Sequence, residues 1–490
     1  MIYIDNEAKA PIYQQIYEQI KQQIIVGALK EGTKLTSTRE LANNLCVARN
    51  TVESAYAQLC VEGYVLNKPG SGFIIQNINE NLLFFHKVSF VHPLVREAST
   101  LNNMETESLS SAQELLPCIH DQSSAYKYNF QYGNLEDSTF PYSLWRRLCA
   151  ESLLSIDAQE INRYRDKQGD LSLRIEIMKY LQQMRGVSCS PEQIILCSGT
   201  QHALDIVGKL FPPERRKLAM EEPGYDGAKV VFKNNGYEII PISVESTGIS
   251  LSELERSSAK VVYITPSHQF PTGVIMPIQN RINLLRWAAQ NNCIIIEDDY
   301  DSEFRYNAQP IPALQSIDEN GRVIYLGTFS KILSPGLRMS YMVLPVWLLA
   351  EYNDVFAGYY DTVPWIQQKT TSLYISGGYW ERHIRKICLS NKKKHDILVR
   401  TITQLMGDKV VIHGNNAGLH ILLEFINGEN QKWLIEQAKK YGVKVYSTLP
   451  FWYRKENCPK NEILLGYSML SEQDIADGIS LLNRAWFDQG

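Results

Sequence analysis

The residues most able to do chemistry in this sequence surround Lys331, in the stretch GTFSKILSPGLRMSY. This stretch directly follows the apolar run RVIYLG, so Lys331 lies just past the end of a predicted strand, with Thr328, Ser330 and Arg338 close in sequence. Hydroxyls and a guanidinium suit a phosphate, and a lysine amine reacts with an aldehyde. A lysine alone in a loop is usually solvated. Its neighbours are what indicate a binding site.

Three further segments carry groups that suit such a ligand. The run NCIIIEDDY contains Asp298 at its end, and this carboxylate can pair with a protonated pyridine nitrogen or simply cap a helix. In LCSGTQHALDIVGKL, a strand, a glycine turn and a helix start place the amides of Gly199, Thr200 and Gln201 where a phosphate can bind. Tyr225 follows a Pro-Gly turn and can stack on a flat ring, although such a tyrosine more often belongs to a core. Each of these signals is weak alone, but together they are strong evidence for one binding site.

The elements around these residues predict an α/β architecture. From about residue 130, apolar runs of strand length such as KVVYIT, NCIIIEDDY and RVIYLGTF alternate with helical segments. In folds of this class, ligands bind at the carboxyl ends of the strands. The unusual residues all stand at those ends.

Composition limits the function classes. A chain of 490 residues is long enough for several domains, and 44% hydrophobic with 21% charged residues is typical of globular proteins. Nine cysteines without a CxxC pair predict reduced thiols and no zinc site. No leader pattern and no long apolar stretch is present in the sequence, so we expect a cytoplasmic protein that does not enter membranes. A formal net charge of -4 means that any contact with nucleic acid must be local.

The N-terminal segment has the pattern of a helix-turn-helix. Ile12, Ile16, Ile20 and Ile24 recur every four residues and predict one amphipathic helix over residues 11–29 that stops at Gly27. A second helix is predicted to start near Ser37, with Glu40 as its capping-box partner, and a third follows in ARNTVESAYAQLCVEGYV. The alternation YVL, NKPGSG and FII then predicts a hairpin wing.

This arrangement predicts where DNA would be touched. Arg49, Asn50 and Thr51 open the third helix, at the end where a recognition helix meets base edges and phosphates. Arg39 is placed for the DNA backbone, and Lys68 in the wing can reach a phosphate. From the pattern alone, a small helical protein-interaction domain is the alternative.

The motifs are more specific than the periodicity. PIYQQIYEQIKQQIIVGALKEGTKL, STRELANNLCVARNTVESAYAQL and EGYV followed by GSGF resemble the GntR-type winged helix over about residues 10–76. EEPGY, TPSHQFPTG, IIEDDYDSEF, GTFSK with PGLR, and NAGLH resemble the MocR/GabR-type regulators, whose second domain is similar to aspartate aminotransferase, a fold-type I α/β transferase. This resemblance implies a mostly helical winged helix-turn-helix over 1–76, a linker over 77–127 and an aminotransferase-like domain over 128–490.

The resemblance also implies a cofactor and roles for the site residues. Lys331 would hold pyridoxal 5'-phosphate as a Schiff base, Asp298 would bind the pyridine nitrogen, Tyr300 would approach the phenolic oxygen and Tyr225 would stack on the ring. The phosphate would be surrounded by Gly199, Thr200, Gln201, Thr328, Ser330 and Arg338. The resemblance further implies a homodimer, in which two winged helices read paired half-sites of operator DNA.

Two departures from the family pattern bear on function. Aminotransferases usually present an asparagine to the phenolic oxygen, where this chain has Phe270, which points away from efficient transamination. The GABA-responsive member of the family holds a carboxylate with two arginines, whereas the matching stretches here have Asp226 and Gly227 after EEPGY, and Met469 in ILLGYSMLSEQD. Neither stretch offers the bidentate fork that a carboxylate favours, so we do not expect GABA to bind in that way.

Two interpretations of the effector and two functional classes follow. The effector is an amine or amino acid held by other groups, with His268, Gln269, Arg305 and His420 as candidates, or it is pyridoxal phosphate itself, as in members that control vitamin B6 synthesis. The loss of both arginines favours the second. The fused DNA reader and Phe270 favour a transcriptional regulator; the alternative is an active aminotransferase with Lys331 as its acid and base.

Overall fold

The computed structural model describes residues 2, 4, 11–25, 27–45, 47–68, 72–76, 126–156, 162–306 and 312–487. Nearly all of the predicted linker, residues 77–127, lies outside the described residues.

The N-terminal domain is a three-helix unit with a hairpin. Its elements are α1 (Ile12–Ile25), α2 (Thr38–Leu45), α3 (Arg49–Val61), β1 (Val65–Lys68) and β2 (Gly72–Ile75), and the two strands pair antiparallel. Ile16, Ile20 and Ile24 point into the core, as the four-residue spacing predicted. The amide of Glu40 donates to Ser37 Oγ at 3.2 Å, so Ser37 caps the second helix. The winged helix-turn-helix predicted from the sequence is confirmed.

The large domain is built on an eight-stranded sheet. Its strand order is β4-β11-β10-β9-β8-β5-β6-β7. The five central strands from β10 to β6 run parallel, whereas β11 and β7 are antiparallel to their neighbours. The strands are β4 (Ile194–Cys197), β5 (Lys217–Glu222), β6 (Glu238–Glu245), β7 (Gly248–Ile249), β8 (Val261–Ile264), β9 (Ile294–Asp298), β10 (Val323–Thr328) and β11 (Ser340–Val343).

Helices cover both faces of this sheet. They are α4 (Tyr142–Leu154), α5 (Leu171–Arg185), α6 (Thr200–Lys209), α7 (Asp226–Asn234), α8 (Leu251–Arg256), α9 (Ile278–Gln290), α10 (Leu349–Val355) and α11 (Trp365–Ser376). In β4, Ile194 and Leu196 belong to one hydrophobic cluster while Ile195 and Cys197 belong to another. Because successive side chains of a strand face opposite sides, a sheet covered on both faces reads as continuous apolar runs. This is why KVVYIT, NCIIIEDDY and RVIYLGTF correctly predicted β8, β9 and β10.

The C-terminal part forms a smaller layer. Its elements are α12 (Tyr379–Met406), β12 (Val410–His413), β13 (His420–Phe425), α13 (Gln431–Lys440), β14 (Val443–Lys444), β15 (Tyr446–Ser447), β16 (Glu462–Gly466) and α14 (Glu472–Phe487). Four of the strands form a sheet of order β12-β13-β16-β15. A short strand at the start of the large domain, β3 (Tyr128–Asn129), pairs with β14. This pairing carries the following loop, residues 130–134, toward the edge of the large sheet.

The winged helix contacts the start of α9. The amide of Ile278 donates to the carbonyl of Glu62, just past the end of α3, at 2.7 Å. Ile278 and Ile282 belong to the core cluster of the winged helix. Gly63 packs so closely that an added Cβ would lie 2.9 Å from Pro277 Cβ. The two domains therefore share apolar core at this contact.

Two predictions from composition can be compared with the described residues. The cysteines within them, from Cys60 to Cys458, are free thiols. None of the helices that are described combines the length and the apolar character needed to cross a bilayer.

Candidate functional site

A cavity of about 540 Å³ opens where β9 and β10 end. That volume is within the range of small-molecule sites, ~300–1,000 Å³. The cavity is lined by Gln131, Tyr132, Thr200, Gln201, Tyr225, Asp226, Tyr263, Thr265, Phe270, Asp298, Tyr300, Thr328, Ser330, Lys331, Arg338, Tyr446, Ser447, Pro450, Phe451 and Leu464. All of the residues that the sequence predicted for a cofactor line this cavity except Gly199, which packs against Arg338.

Lys331 lies in the turn that follows β10. Its Nζ stands 4.1 Å from the centroid of the Tyr132 ring, and Gly133 approaches so closely that an added Cβ would be 3.0 Å from Nζ. Burial disfavours the ammonium and lowers the pKa of Lys331 to about 8, although the carboxylates of Asp301 and Asp298 oppose this shift. A neutral amine, which is the nucleophilic form, is therefore available near neutral pH.

Asp298 is the last residue of β9 and lines the same cavity. It is 5% exposed, and the hydroxyl of Tyr263 donates to its Oδ2 at 2.5 Å. Burial raises the pKa of Asp298 to about 7, and the Tyr263 hydrogen bond offsets part of that rise. A cation placed in the cavity beside Asp298 would lower its pKa again, because an opposite charge favours the carboxylate. The site thus suits a protonated ring nitrogen.

A cradle for an anion lies at the start of α6. Gly199 adopts a φ of 91°, and an added Cβ there would collide with the Arg338 guanidinium. Only glycine therefore lets this arginine approach the first amides of the helix. Thr200, Thr328 and Ser330 add hydroxyls to the same part of the lining. Helix amides, hydroxyls and a guanidinium together match the chemistry of a phosphate.

Two tyrosines complete the predicted set. Burial raises the pKa of Tyr225 to about 12, so its ring lines the cavity with a neutral hydroxyl. The hydroxyl of Tyr300 donates to the backbone carbonyl of His268 at 2.9 Å. Both tyrosines line the same cavity as Lys331 and Asp298.

Several residues that line the cavity were not among those predicted from the sequence. Tyr263 stands in the predicted strand KVVYIT, where a hydroxyl near a carboxyl end is the one usable signal. Tyr132, Tyr446, Phe451 and Leu464 come from the loop after β3 and from the C-terminal layer. No local pattern links these segments to the sheet edge, because their approach depends on packing between layers.

The four predicted effector residues do not line the cavity. His268 Nδ1 is hydrogen-bonded to Asp301 Oδ2 at 2.8 Å, and Gln269 donates to the carbonyl of Pro223 at 2.8 Å. His420 Nε2 lies 3.0 Å from the carbonyl oxygen of Pro271, while Arg305 donates to the carbonyl of Ser267. Three of these side chains therefore contact backbone carbonyls, and the fourth contacts a buried carboxylate.

His268, Asp301 and His420 also form a buried group with one donor atom each within 4.8 Å of the others, close enough to hold a metal ion. The His268–Asp301 hydrogen bond already engages two of these donors. The same contacts describe a hydrogen-bonded histidine and aspartate beside His420, whose Nε2 contacts a backbone carbonyl.

Met469, predicted to stand where the GABA-responsive relative has an arginine, is also outside the lining. The amide of Asn134 contacts its sulfur at 3.8 Å, whereas Leu464 of β16 faces the cavity. The other predicted position, Asp226, does line it. Neither Leu464 nor Asp226 carries a guanidinium. We therefore still expect no arginine fork for a carboxylate at these positions.

The predicted DNA-contacting residues lie at the surface of the winged helix. Arg39, Arg49, Asn50 and Lys68 are exposed, and Thr51 is half-buried. Arg49 is the first residue of α3, and its Nε pairs with Glu53 at 2.7 Å while the side chain stays 63% exposed. An exposed pair of this kind holds its partners weakly, which leaves Arg49 free to turn toward a phosphate or a base.

Comparisons with known proteins match both parts of the chain. Residues 12–75 match the bacterial regulatory proteins of the gntR family, and residues 131–375 match aminotransferase class I and II. An uncharacterized HTH-type transcriptional regulator of Bacillus subtilis (strain 168), YdeL, is 39% identical over 99% of this chain and 98% of its own length. The probable rhizopine catabolism regulatory protein MocR of Rhizobium meliloti is 31% identical over 99% of this chain and 96% of its own.

Among solved structures, the Pyrococcus horikoshii kynurenine aminotransferase, in a complex with PMP, is similar to the large domain. It is 29% identical, with a TM-score of 0.66, and the match covers 73% of this chain and 90% of that one. The α/β transferase fold predicted from the sequence is confirmed.

Proposed function

Because the chain belongs to the MocR-type transcriptional regulators, in which a GntR winged helix precedes an aminotransferase class I and II domain, we propose that its affinity for operator DNA depends on pyridoxal phosphate held at Lys331. The observation that carries this proposal is the convergence of a buried lysine, a buried aspartate and an anion cradle on one cavity. Pyridoxal phosphate supplies an aldehyde that reacts with amines and a ring that withdraws electrons.

Different residues of this chain would hold different parts of pyridoxal phosphate. Lys331 would hold the aldehyde carbon, and Asp298 would hold the proton on the pyridine nitrogen. Tyr225 would cover a ring face, and Tyr300 would stand near the phenolic oxygen. The phosphate would be held by the first amides of α6 and by Thr200, Thr328, Ser330 and Arg338. Phe270 adds no hydrogen bond to the cavity, which supports regulation over efficient transamination.

One continuous segment, residues 265–278, connects the cavity with the winged helix. Thr265 and Phe270 line the cavity, and the same segment continues to Ile278, which bonds to the end of α3. Arg281 is 1% exposed and donates to the carbonyls of Pro266 and Met276, each at 2.9 Å. The guanidinium of Arg281 thus forms hydrogen bonds near both ends of residues 265–278, which we call the clasped segment. A shift of the cavity wall would therefore change the contact between this segment and the end of the recognition helix.

The test of this function is operator affinity with and without pyridoxal phosphate. We expect an affinity change of about 5-fold or more between apo and loaded full chain, the range of ordinary allosteric coupling. The measurement is fluorescence anisotropy on a DNA selected by the protein from a random pool. Lys331→Ala, which has no covalent attachment point, serves as the control and should show a much smaller change at the same concentration of pyridoxal phosphate. Equal affinities of apo and loaded wild type would refute the proposal.

A second arm separates the two effector interpretations. If pyridoxal phosphate itself is the signal, its addition to apo protein produces the full change in DNA affinity. If an amine or amino acid is the signal, the change appears only when that compound is added to loaded protein.

The pKa of Lys331 leads to a pH prediction. Since only the neutral amine attacks an aldehyde, capture of pyridoxal phosphate should accelerate as pH rises and level off above about 8, the pKa of Lys331. An ordinary lysine, with a pKa of about 10.4, would still be accelerating there. Stopped-flow absorbance of apo protein mixed with pyridoxal phosphate checks this. A rate that keeps rising to about pH 10 would show that Lys331 titrates as an ordinary lysine.

The winged helix leads to a prediction for DNA binding. Arg49→Ala should weaken operator binding by about 5- to 150-fold, the effect of losing one arginine contact to DNA. The fold should be unaffected, because the exposed Arg49–Glu53 pair contributes little stability. Electrophoretic mobility shifts measure the effect, with the exposed Arg256→Ala of the large domain as the matched control. Unchanged affinity in Arg49→Ala would place the recognition surface elsewhere.

We also propose the predicted domain boundaries, 1–76 and 128–490 with a linker over 77–127, and a homodimer. The homodimer follows from the resemblance to aminotransferase-like regulators, in which two winged helices would read paired half-sites of operator DNA.

A further inference from the structure

The cavity has a second group of lining residues that the proposed cofactor contacts do not use. It is formed by Tyr132, Phe270, Phe451, Tyr446 and Leu464. The rings of Tyr132 and Phe270 lie 5.0 Å apart, and those of Phe270 and Phe451 lie 4.8 Å apart, edge to face. Phe270 and Leu464 are 5% and 2% exposed. These residues form an aromatic and apolar wall next to Lys331.

The cationic side chains of the cavity lining are all assigned to the cofactor, whereas one acidic side chain is not. Among the described residues that line the cavity, the cations are Lys331 and Arg338, and both belong to the proposed cofactor contacts. The acids are Asp298 and Asp226, and Asp226 has no role in holding the cofactor. An incoming carboxylate would therefore meet a like charge and no free guanidinium.

Nearby polar groups are engaged with other parts of the protein. The hydroxyl of Tyr446 donates to Asn129 Oδ1 at 2.8 Å, and that of Ser447 donates to Gln431. Lys229 donates to the carbonyl of Pro450 at 3.2 Å, and Arg454 is paired with Glu222. None of these four groups is therefore free to replace the water that a carboxylate against the aromatic wall would lose, and an uncompensated loss of water is costly.

We infer that the small-molecule effector of this site is a primary amine that carries an aromatic or apolar group and no carboxylate. This inference rests on the proposed function, because the amine would be recognised beside a bound cofactor. The aromatic wall favours the apolar part through burial and ring contacts. A ligand without a carboxylate is not repelled by Asp226. It also brings no negative charge that the cavity would leave without a partner.

The decisive experiment compares 2-phenylethylamine with L-phenylalanine, which differ by one carboxylate. Isothermal titration calorimetry of the full chain loaded with pyridoxal phosphate gives both affinities. We expect the amine to bind at least about tenfold more tightly, the usual effect of leaving a charged group without its hydrogen bonds. Equal affinities, or tighter binding of the amino acid, would overturn the inference.

Two variants assign the discrimination to the wall. Asp226→Asn removes the repelling charge, so the affinity ratio should fall; an unchanged ratio would overturn the role of Asp226. Leu464→Arg offers a carboxylate partner and should reverse the preference, and if this buried substitution prevents folding, Asp226→Asn still decides. Ile426→Arg, at a 57% exposed position after β13, is the matched control and should leave the ratio unchanged.

The loaded protein itself separates the two levels of failure. A visible absorbance band that appears on loading, followed by equal binding of both compounds, contradicts this inference alone. A chain that develops no such band contradicts the proposed function, and this inference with it.

Discussion

Replacing Lys331 with alanine is expected to abolish the covalent adduct with pyridoxal phosphate that borohydride reduction traps. Lys331 is the one lysine among the described residues that line the cavity, and burial lowers its pKa to about 8, against the opposing effect of two carboxylates. The loss should be complete, because alanine offers no nitrogen. Visible absorbance before reduction and mass spectrometry of peptides after reduction measure the adduct.

The matched control for this prediction is Lys229→Ala. Lys229 does not line the cavity and donates to the carbonyl of Pro450, which does, so its removal should leave the adduct intact. The Lys331→Ala protein should still bind pyridoxal phosphate weakly and without a covalent bond, since the anion cradle around Arg338 is unchanged. An adduct of undiminished yield in Lys331→Ala would move the attachment point to another lysine and remove the basis of the proposed function.

Replacing Arg185 with methionine is expected to lower the free energy of unfolding by about 3–5 kcal/mol, the cost of leaving a buried charge unpaired. Arg185 ends α5, and its Nε and Nη2 donate to the two oxygens of Asp299 at 2.7 and 3.1 Å. The side chains are 1% and 0% exposed. Burial alone would raise the pKa of Asp299, but the guanidinium and the Tyr325 hydroxyl hold it below its usual range.

The effect should reach the cofactor site as well. Asp299 is adjacent to Asp298, so an unpaired charge on Asp299 would raise the pKa of Asp298 further and weaken its hold on a ring nitrogen. Urea unfolding of the large domain, followed by tryptophan fluorescence, measures the stability. Arg146→Met, at an exposed position of α4, is the matched control. Adding Asp299→Asn to Arg185→Met should restore part of the stability; no recovery would show that lost packing, rather than the orphaned charge, is responsible.

The sequence predicted the cofactor side of the cavity well for a physical reason. Parallel strands place their carboxyl ends at one edge of a sheet, so residues that follow separate apolar runs must converge. Lys331 after β10, Asp298 at the end of β9 and Thr200 after β4 were located in this way. Their chemistry could be inferred because each stands at a boundary that local patterns reveal.

The second group of lining residues, the aromatic wall, could not be predicted by the same reasoning. Tyr446, Phe451 and Leu464 come from an antiparallel layer whose approach is set by packing between distant segments. His268 and His420 looked like ligand-binding groups, but both are turned toward partners within the wall. A histidine near a motif does not reveal which way its ring faces. Met469, predicted opposite the relative's second arginine, lies outside the lining, whereas Leu464, five residues earlier, lines the cavity.

The clasped segment 265–278 also constrains how this protein can evolve. This segment both lines the cavity and contacts the end of the recognition helix. A substitution within it would therefore change ligand preference and DNA binding together. The part of the aromatic wall that comes from the C-terminal layer, Tyr446, Phe451 and Leu464, does not contact the recognition helix in this way. We therefore expect paralogues that have acquired new ligands to differ mainly at positions such as Tyr446, Phe451 and Leu464, and to conserve the segment that Arg281 clasps.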